Sequence, residues 1–313
     1  MTTLHVAANT AGPSPAWHDS GSEPPNGGVG GSAVATVAGA ARALRSLCTP
    51  ATVTGGLTEL AWVGAHALLW PLGTRTQQRE PDAAVRPEWQ PPAVRAFFAE
   101  DPLAARVPVV LVHGMVDNRS VFTVMRRGLR RRGFSCVGTW DYSPLVQDVR
   151  EAADQLGAHL EQVCRETGHD RVNVVGHSLG GLVARYLVQR LDDSRVRSLV
   201  TLGSPHSGSL WAHALPIPLA RQLRPGSALV QELQLPAPGR HTPITAVYSD
   251  LDQLVVPSSS GRVDHPDLRA RNVLVRGVGH MSLPIHRGVV EEVAATFAGH
   301  RSVDREPSDT AVA

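Results

Sequence analysis

The 313-residue sequence contains no lysine, so arginine supplies all 30 of its basic side chains. With 28 acidic residues, the formal net charge is only +2. This near-neutral balance gives no reason to expect a nucleic-acid partner, which would need a clear excess of positive charge. Because lysine codons are AT-rich, the missing lysine and the abundant alanine, glycine and proline indicate a GC-rich genome of the actinobacterial type.

Cysteine is scarce as well. The three cysteines, Cys48, Cys136 and Cys164, are odd in number and widely spaced. Cys136 falls in a strand pattern and Cys164 in a helix pattern, so the sequence predicts buried thiols and argues against a disulfide framework.

Long apolar runs are missing too. The segment 57–70 has only Glu59 and His66 as ionisable groups, but it is shorter than the roughly 20 apolar residues that span a bilayer. We expect it to pack on the main domain; the alternative is contact with a membrane surface or with the substrate entrance through Trp62 and Trp70. No ordinary signal peptide is visible, so the expected location is cytoplasmic, with membrane association as the alternative.

Composition divides the chain into four parts. Residues 1–33 are rich in glycine, proline and serine and predict a disordered tail. Residues 34–100 predict an apolar helical segment followed by a proline-rich linker. Residues 101–300 form the predicted main domain, and 301–313 predict a disordered C-terminal tail.

The main domain alternates between strand and helix patterns. This order predicts an α/β fold with a mainly parallel sheet of six strands, or slightly more, covered by helices on both faces. The predicted strands are 108–112, 134–139, 172–176, 197–202, 243–248 and 271–276. The predicted helices are 118–131, 145–166, 180–191, 219–234 and 286–298.

A nucleophile elbow is predicted where the third strand ends. The pattern Gly-x-Ser-x-Gly at 176–180 lies between a β-branched run and an apolar helix pattern. In this setting the glycines allow strand and helix to approach closely, and Ser178 projects from a strained turn. The amide of Leu179 then lies at a helix N-terminus, where partial positive charge favours an anion.

A histidine and a carboxylate follow the elbow in the order that such a nucleophile needs. His280 follows the last predicted strand of the domain and is the candidate base. Asp250 and Asp252 both follow the strand before it, and Asp252 is favoured because Val255 can pack back onto the sheet while Asp252 faces the histidine.

Two backbone amides are candidates for stabilising an oxyanion. The first predicted strand ends in His113-Gly114-Met115, where Gly114 permits a sharp turn. The amide of Met115 could then point to the same place as the amide of Leu179.

Taken together, these segments resemble the α/β-hydrolase superfamily, and within it the bacterial lipases and esterases. The resemblance extends from about residue 105 to 300 and includes the stretches at 201–208 and 248–255. It implies that Ser178 is the nucleophile, Asp252 the acid and His280 the base, with oxyanion amides from Met115 and Leu179. It implies hydrolysis of carboxylic esters, which needs no metal or organic cofactor.

The connection 207–241 is unusually apolar and is a candidate lid. The candidate substrate contacts are Leu210, Trp211 and Leu215 in this connection and His113 near the oxyanion loop. An apolar lid favours a lipid or acyl ester as substrate. The alternative for this segment is an ordinary packed helix. The alternatives for the whole chain are an acyltransferase that uses the same three residues and a catalytically inactive binding protein.

Overall fold

The computed structural model describes residues 96, 98, 101, 103–115, 119–142, 146–299 and 310–312. The segments predicted at 1–33 and 57–70, most of 34–100 and Cys48 lie outside these residues. Among the residues described, no helix is both long and apolar enough to cross a membrane.

A seven-stranded parallel sheet forms the centre of the domain, in the order β2-β1-β3-β4-β5-β6-β7. This confirms the predicted fold class. The strands are β1 Val109–Val112, β2 Val137–Trp140, β3 Val172–His177, β4 Val196–Leu202, β5 Ile244–Ser249, β6 Ala270–Val275 and β7 Thr310–Val312.

Both edges of the sheet differ from the prediction. Strand β2 begins at Val137 rather than 134, because Phe134 lies before the strand and packs edge-on against Phe98 and Phe297. At the other edge, Thr310–Val312 pair with Val273–Val275. The tail predicted as disordered over 301–313 therefore contributes a strand, because the edge of β6 offers free backbone partners.

Six α-helices accompany the strands in the described part of the chain. They are α1 Thr123–Arg131, α2 Val149–Thr167, α3 Leu179–Tyr186, α4 Pro218–Gln222, α5 Ala228–Glu232 and α6 Arg287–Phe297. The single helix predicted over 219–234 is wrong. Gly226, with φ of 73°, breaks it, and Ser227 caps α5 by accepting a hydrogen bond from the amide of Val230.

The core has two layers, one on each face of the sheet. Alternate residues of β1 point to opposite faces: Val110 and Val112 to one, Val109 and Leu111 to the other. The first face packs against α2 and α3, and the second against α1 and α6. This burial on both sides explains why strands such as Val109–Val112 are continuously apolar rather than alternating.

Two cysteines, Cys136 and Cys164, lie in the described residues, and both are unoxidised thiols. Cys164 is buried as predicted, and burial raises the pKa of its thiol. Cys136 precedes β2 and is only half-buried, so the prediction of buried thiols holds for Cys164 alone.

Candidate active site

Ser178 lies in a strained turn between β3 and α3. Its φ of 54° makes it the only non-glycine residue with a positive φ among the residues described. Such a conformation costs about 1–3 kcal/mol and persists where its surroundings enforce it. The Ser178 amide donates to the carbonyl of Leu202 at 2.8 Å, and its carbonyl accepts from the amide of Gly181 at 3.1 Å.

Glycines permit the backbone contacts around this turn. A Cβ at Gly176 would lie 2.4 Å from the Cα of Gly181, so β3 and α3 touch through their main chains. A Cβ at Gly180 would lie 2.3 Å from the carbonyl oxygen of Val112, the last residue of β1. The start of α3 is therefore in close contact with both β3 and the end of β1.

A buried aspartate and histidine form a hydrogen-bonded pair at the same end of the sheet. His280 Nδ1 lies 2.8 Å from Asp252 Oδ2, and the two side chains are only 2% and 1% exposed. The other carboxylate oxygen, Oδ1, accepts the amides of Leu254 and Val255 at 2.9 and 2.8 Å. These bonds satisfy one oxygen of Asp252 and leave the other directed at the imidazole.

Asp250, the competing carboxylate, is directed elsewhere. It is exposed, and its Oδ1 accepts the amide of Gly277 at 2.8 Å. Val255 is buried, as the argument for Asp252 assumed. The structure thus brings Asp252 and not Asp250 to His280.

Two residues that were not predicted as site residues also fix this pair. A Cβ at Gly203 would lie 2.9 Å from Asp252 Oδ2 and 3.1 Å from His280 Nδ1, so the pair needs the space that glycine leaves. His177 Nε2 donates to the carbonyl of His280 at 3.2 Å and links the elbow to the histidine loop. The sequence signals were the position of Gly203 in the stretch 201–208 and the position of His177 inside the pattern at 176–180.

The loop after β1 is held by Tyr142. The Tyr142 hydroxyl donates to the carbonyl of Gly114 at 2.9 Å, and its ring stacks on His113 with centroids 4.6 Å apart. His113 Nδ1 also donates to the carbonyl of Gly114, at 2.8 Å. Met115 is half-buried at the end of this loop, and Leu179 is buried at the start of α3. His113 is thus part of the loop's scaffold, and its contact with substrate stays a prediction.

Comparison with known proteins finds similarity to thioesterases and lipases. A sequence model of the palmitoyl protein thioesterase family matches residues 108–261. The triacylglycerol lipase of Burkholderia plantarii is 32% identical over 158 residues, which are 48% of this chain and 42% of that protein. The triacylglycerol lipase of Pseudarthrobacter phenanthrenivorans is 35% identical over 117 residues, 35% of this chain and 36% of that protein. The chain thus spans less than half the length of these curated relatives.

A solved structure extends the likeness to the fold. The mature form of a Bacillus licheniformis lipase matches with a TM-score of 0.50 at 15% identity, over 62% of this chain and 92% of that chain. This likeness concerns the fold alone, a parallel sheet with helices on both faces. The chain has the α/β-hydrolase fold.

A further histidine, His206, follows β4 and is buried in the packed part of the domain. His206 is fully buried, and its Nε2 lies 2.9 Å from Thr201 Oγ1. Burial and the nearby Arg185 charge hold the pKa of His206 well below its ordinary value. The ring therefore stays neutral and serves packing.

The connection between β4 and β5 has two different halves. In the second half, the leucines of α4 and α5 and of the turns that follow them are buried: Leu219, Leu223, Leu229 and Leu233. Arg185 Nη2 and Gln189 Nε2 both donate to the carbonyl of Leu233, at 3.0 and 2.9 Å. This half is therefore packed on the domain. That agrees with the alternative to a lid, in which the segment is an ordinary packed part of the fold.

The first half exposes apolar side chains beside the aspartate loop. We call Leu210, Trp211, Ile217 and Val256 the cap patch; they are 56%, 41%, 41% and 36% exposed. The amide of Leu210 donates to the carbonyl of Val256 at 2.9 Å, which joins the patch to the loop that begins at Asp252. Leu215, the third predicted lid contact, is half-buried.

We expect Gly176→Ala to destabilise the protein by about 1–3 kcal/mol, because the added methyl group would collide with the backbone of α3. Gly138→Ala is the matched control, since Gly138 also lies in a strand but a methyl group there would have no other atom within 4 Å. Urea unfolding of both variants measures the difference. Equal stability would show that the strand–helix contact can relax at no cost.

Proposed function

We propose that this α/β-hydrolase cleaves carboxylic esters of lipids or other acyl groups, with Ser178 as nucleophile, His280 as base and Asp252 as the orienting acid. The observation that carries the proposal is the buried 2.8 Å hydrogen bond between His280 and Asp252, at the end of the sheet where Ser178 forms its strained turn. The similarity to triacylglycerol lipases supports the same reaction class.

The Asp252 bond selects the tautomer that a general base needs. A carboxylate oxygen can only accept, so His280 Nδ1 carries the proton toward Asp252 Oδ2. His280 Nε2 is then left unprotonated and can take the proton of the Ser178 hydroxyl. As the imidazolium forms, the buried carboxylate of Asp252 stabilises its charge.

The reaction then proceeds in two halves. Ser178 Oγ attacks the ester carbonyl carbon while His280 takes its proton, and His280 returns that proton to the leaving alcohol. Water, activated by His280, repeats the attack on the acyl-enzyme and releases the acid. We assign the oxyanion to the amides of Leu179, at the N-terminus of α3, and Met115.

The cap patch supports an apolar acyl group as substrate. Contiguous exposed apolar side chains mark binding surfaces more often than chance exposure does. The patch is joined to the loop of Asp252, so an acyl chain extending from Ser178 can meet it. The segment 57–70, proposed from sequence as a lipid or entrance contact, lies outside the described residues.

A thioester is the second candidate substrate. The match to the palmitoyl protein thioesterase family over residues 108–261 is the observation that favours it. Thioester cleavage passes through the same acyl-enzyme, with a thiol in place of the alcohol as leaving group. Comparing kcat/KM for an octanoyl ester and the matching octanoyl thioester decides between the two, and adding an alcohol acceptor tests acyl transfer, which would give a new ester instead of free acid.

Ser178→Ala should lower kcat for nitrophenyl ester hydrolysis by about a million-fold, the cost of losing the nucleophile of a comparable triad. A fluorophosphonate probe should label the wild type at Ser178 and leave the variant unlabelled. Ser207→Ala, an exposed serine in the segment after β4, serves as the control and should keep full activity. A Ser178→Ala variant with a tenth of wild-type turnover would place the nucleophile elsewhere.

Asp252→Asn should lower kcat by about ten-thousand-fold, because an amide can hold the imidazole in the wrong tautomer. Asp250→Asn is the matched control. Asn keeps an acceptor for the amide of Gly277, so we expect a loss of less than about tenfold. Steady-state kinetics on one ester suffices, and a larger loss in Asp250→Asn would reverse the assignment of the acid.

The double variant Leu210→Ser/Trp211→Ser should lower kcat/KM for octanoate esters about tenfold more than for acetate esters. Each buried methylene contributes about 0.8 kcal/mol, so losing the contacts of two methylenes gives this ratio. Leu103→Ser/Val124→Ser removes two exposed apolar side chains outside the patch and is the control. An equal loss for both esters would show that the cap patch supports the fold and not the acyl chain.

A further inference from the structure

A second cleft lies at the amino ends of the strands, the end of the sheet opposite to Ser178. Its volume is about 720 Å³, which is within the range of small-molecule sites. Asn173, Ser198, Thr245 and Arg271 line it, and each lies among the first three residues of its strand. Asn173 pairs in register with Ser198, and Thr245 with Arg271.

Asn173 is the unusual residue of this cleft. It is 0% exposed, yet neither its side-chain nitrogen nor its side-chain oxygen has a hydrogen-bond partner. Its backbone amide is satisfied by the carbonyl of Pro108, so only the side chain is unpaired. Leaving a buried polar group unsatisfied destabilises the folded protein, which makes such groups rare unless something binds them. A donor and an acceptor are thus both available at one wall of the cleft.

The charges of the cleft leave one cation uncompensated. Three arginines line it, and two of them pair with carboxylates: Arg197 with Asp101, and Arg271 with Glu292. Within the part of the chain that the structure describes, no carboxylate pairs with Arg269, the third. The surplus of one positive charge suits a ligand with one negative charge.

The remaining wall is apolar. Pro243, which is exposed, and Phe297, near the end of α6, contribute to it. A fully inorganic anion would gain nothing from these side chains, whereas an organic anion can bury its carbon chain against them. The ligand therefore needs one anionic group and a short apolar part.

We propose that this cleft binds a small hydroxycarboxylate. Its carboxylate accepts hydrogen bonds from the Arg269 guanidinium, and its hydroxyl both donates to and accepts from the Asn173 amide. Its carbon chain lies against Pro243 and Phe297. The site is separate from Ser178, Asp252 and His280, so it is independent of the proposed hydrolysis.

The test uses the full chain and 2-hydroxyhexanoate as the probe, followed by thermal unfolding and calorimetry. At about ten times its Kd, the probe should raise Tm by about 3–6 °C. Asn173→Leu and Arg269→Gln should each weaken binding about tenfold or more. Arg165→Gln removes an equal charge from the exposed face of α2, on the other side of the sheet, and should bind the probe like the wild type.

The unliganded stability of Asn173→Leu gives a second readout. If the amide is held for a ligand, the apolar replacement removes an unsatisfied buried group, so Tm without ligand should stay level or rise, with nitrophenyl acetate hydrolysis unchanged. A lower Tm would mean that the amide serves the fold, and the proposal would be wrong. Failure of the wild type to bind, equal binding by both variants, or an equal Tm rise with hexanoate or inorganic phosphate would overturn it as well.

Discussion

The start of helix α3 is in backbone contact with two strands at once, and the rest of the candidate site depends on this contact. Gly176 has no side chain and so leaves room for the backbone of Gly181 in α3, and Gly180 likewise leaves room for the end of β1. Because the helix begins this close to the sheet, the chain must turn sharply after β3, and Ser178 takes the strained conformation of this turn. The loop that carries Met115 leaves β1 just beyond this contact.

A second close approach places the aspartate and the histidine. Strand β4 lies between β3 and β5, and Gly203 directly after it leaves room for the pair of Asp252 and His280. Asp252 follows β5 and His280 follows β6. Because the strands are parallel, both residues lie at the carboxyl end of the sheet, where Ser178 follows β3. The bond from His177 to the carbonyl of His280 joins the two halves of the site.

The connection between β4 and β5 is attached to α3, the helix that follows the turn at Ser178. Arg185 of α3 is 1% exposed and donates to the carbonyls of Leu233 and His206 at 3.0 and 3.3 Å. Burial lowers the pKa of Arg185 to about 10, which leaves it charged at neutral pH and dependent on these acceptors. Helix α3 thus follows the turn at Ser178 and also holds the packed half of this connection, while the cap patch remains exposed.

Local sequence determined much of this protein. The alternation of strand and helix, the glycines around Ser178 and the position of His280 after the last strand of the predicted domain depend on periodicity and spacing within short segments, which are readable without a structure. The break between α4 and α5 at Gly226 was local too, and the prediction of one continuous helix overlooked it.

Only the tertiary structure decided the contacts between distant segments. The bond between Asp252 and His280 joins residues 28 positions apart, and both Asp250 and Asp252 follow the same strand, so loop geometry selects the one that meets the imidazole. The space beside Gly203 and the unpaired side-chain amide of Asn173 also depend on tertiary structure, because the atoms around each residue come from several segments of the chain. The residue pattern predicts which face of a strand or helix a side chain occupies. Its contacts on that face depend on how the neighbouring helices and strands pack.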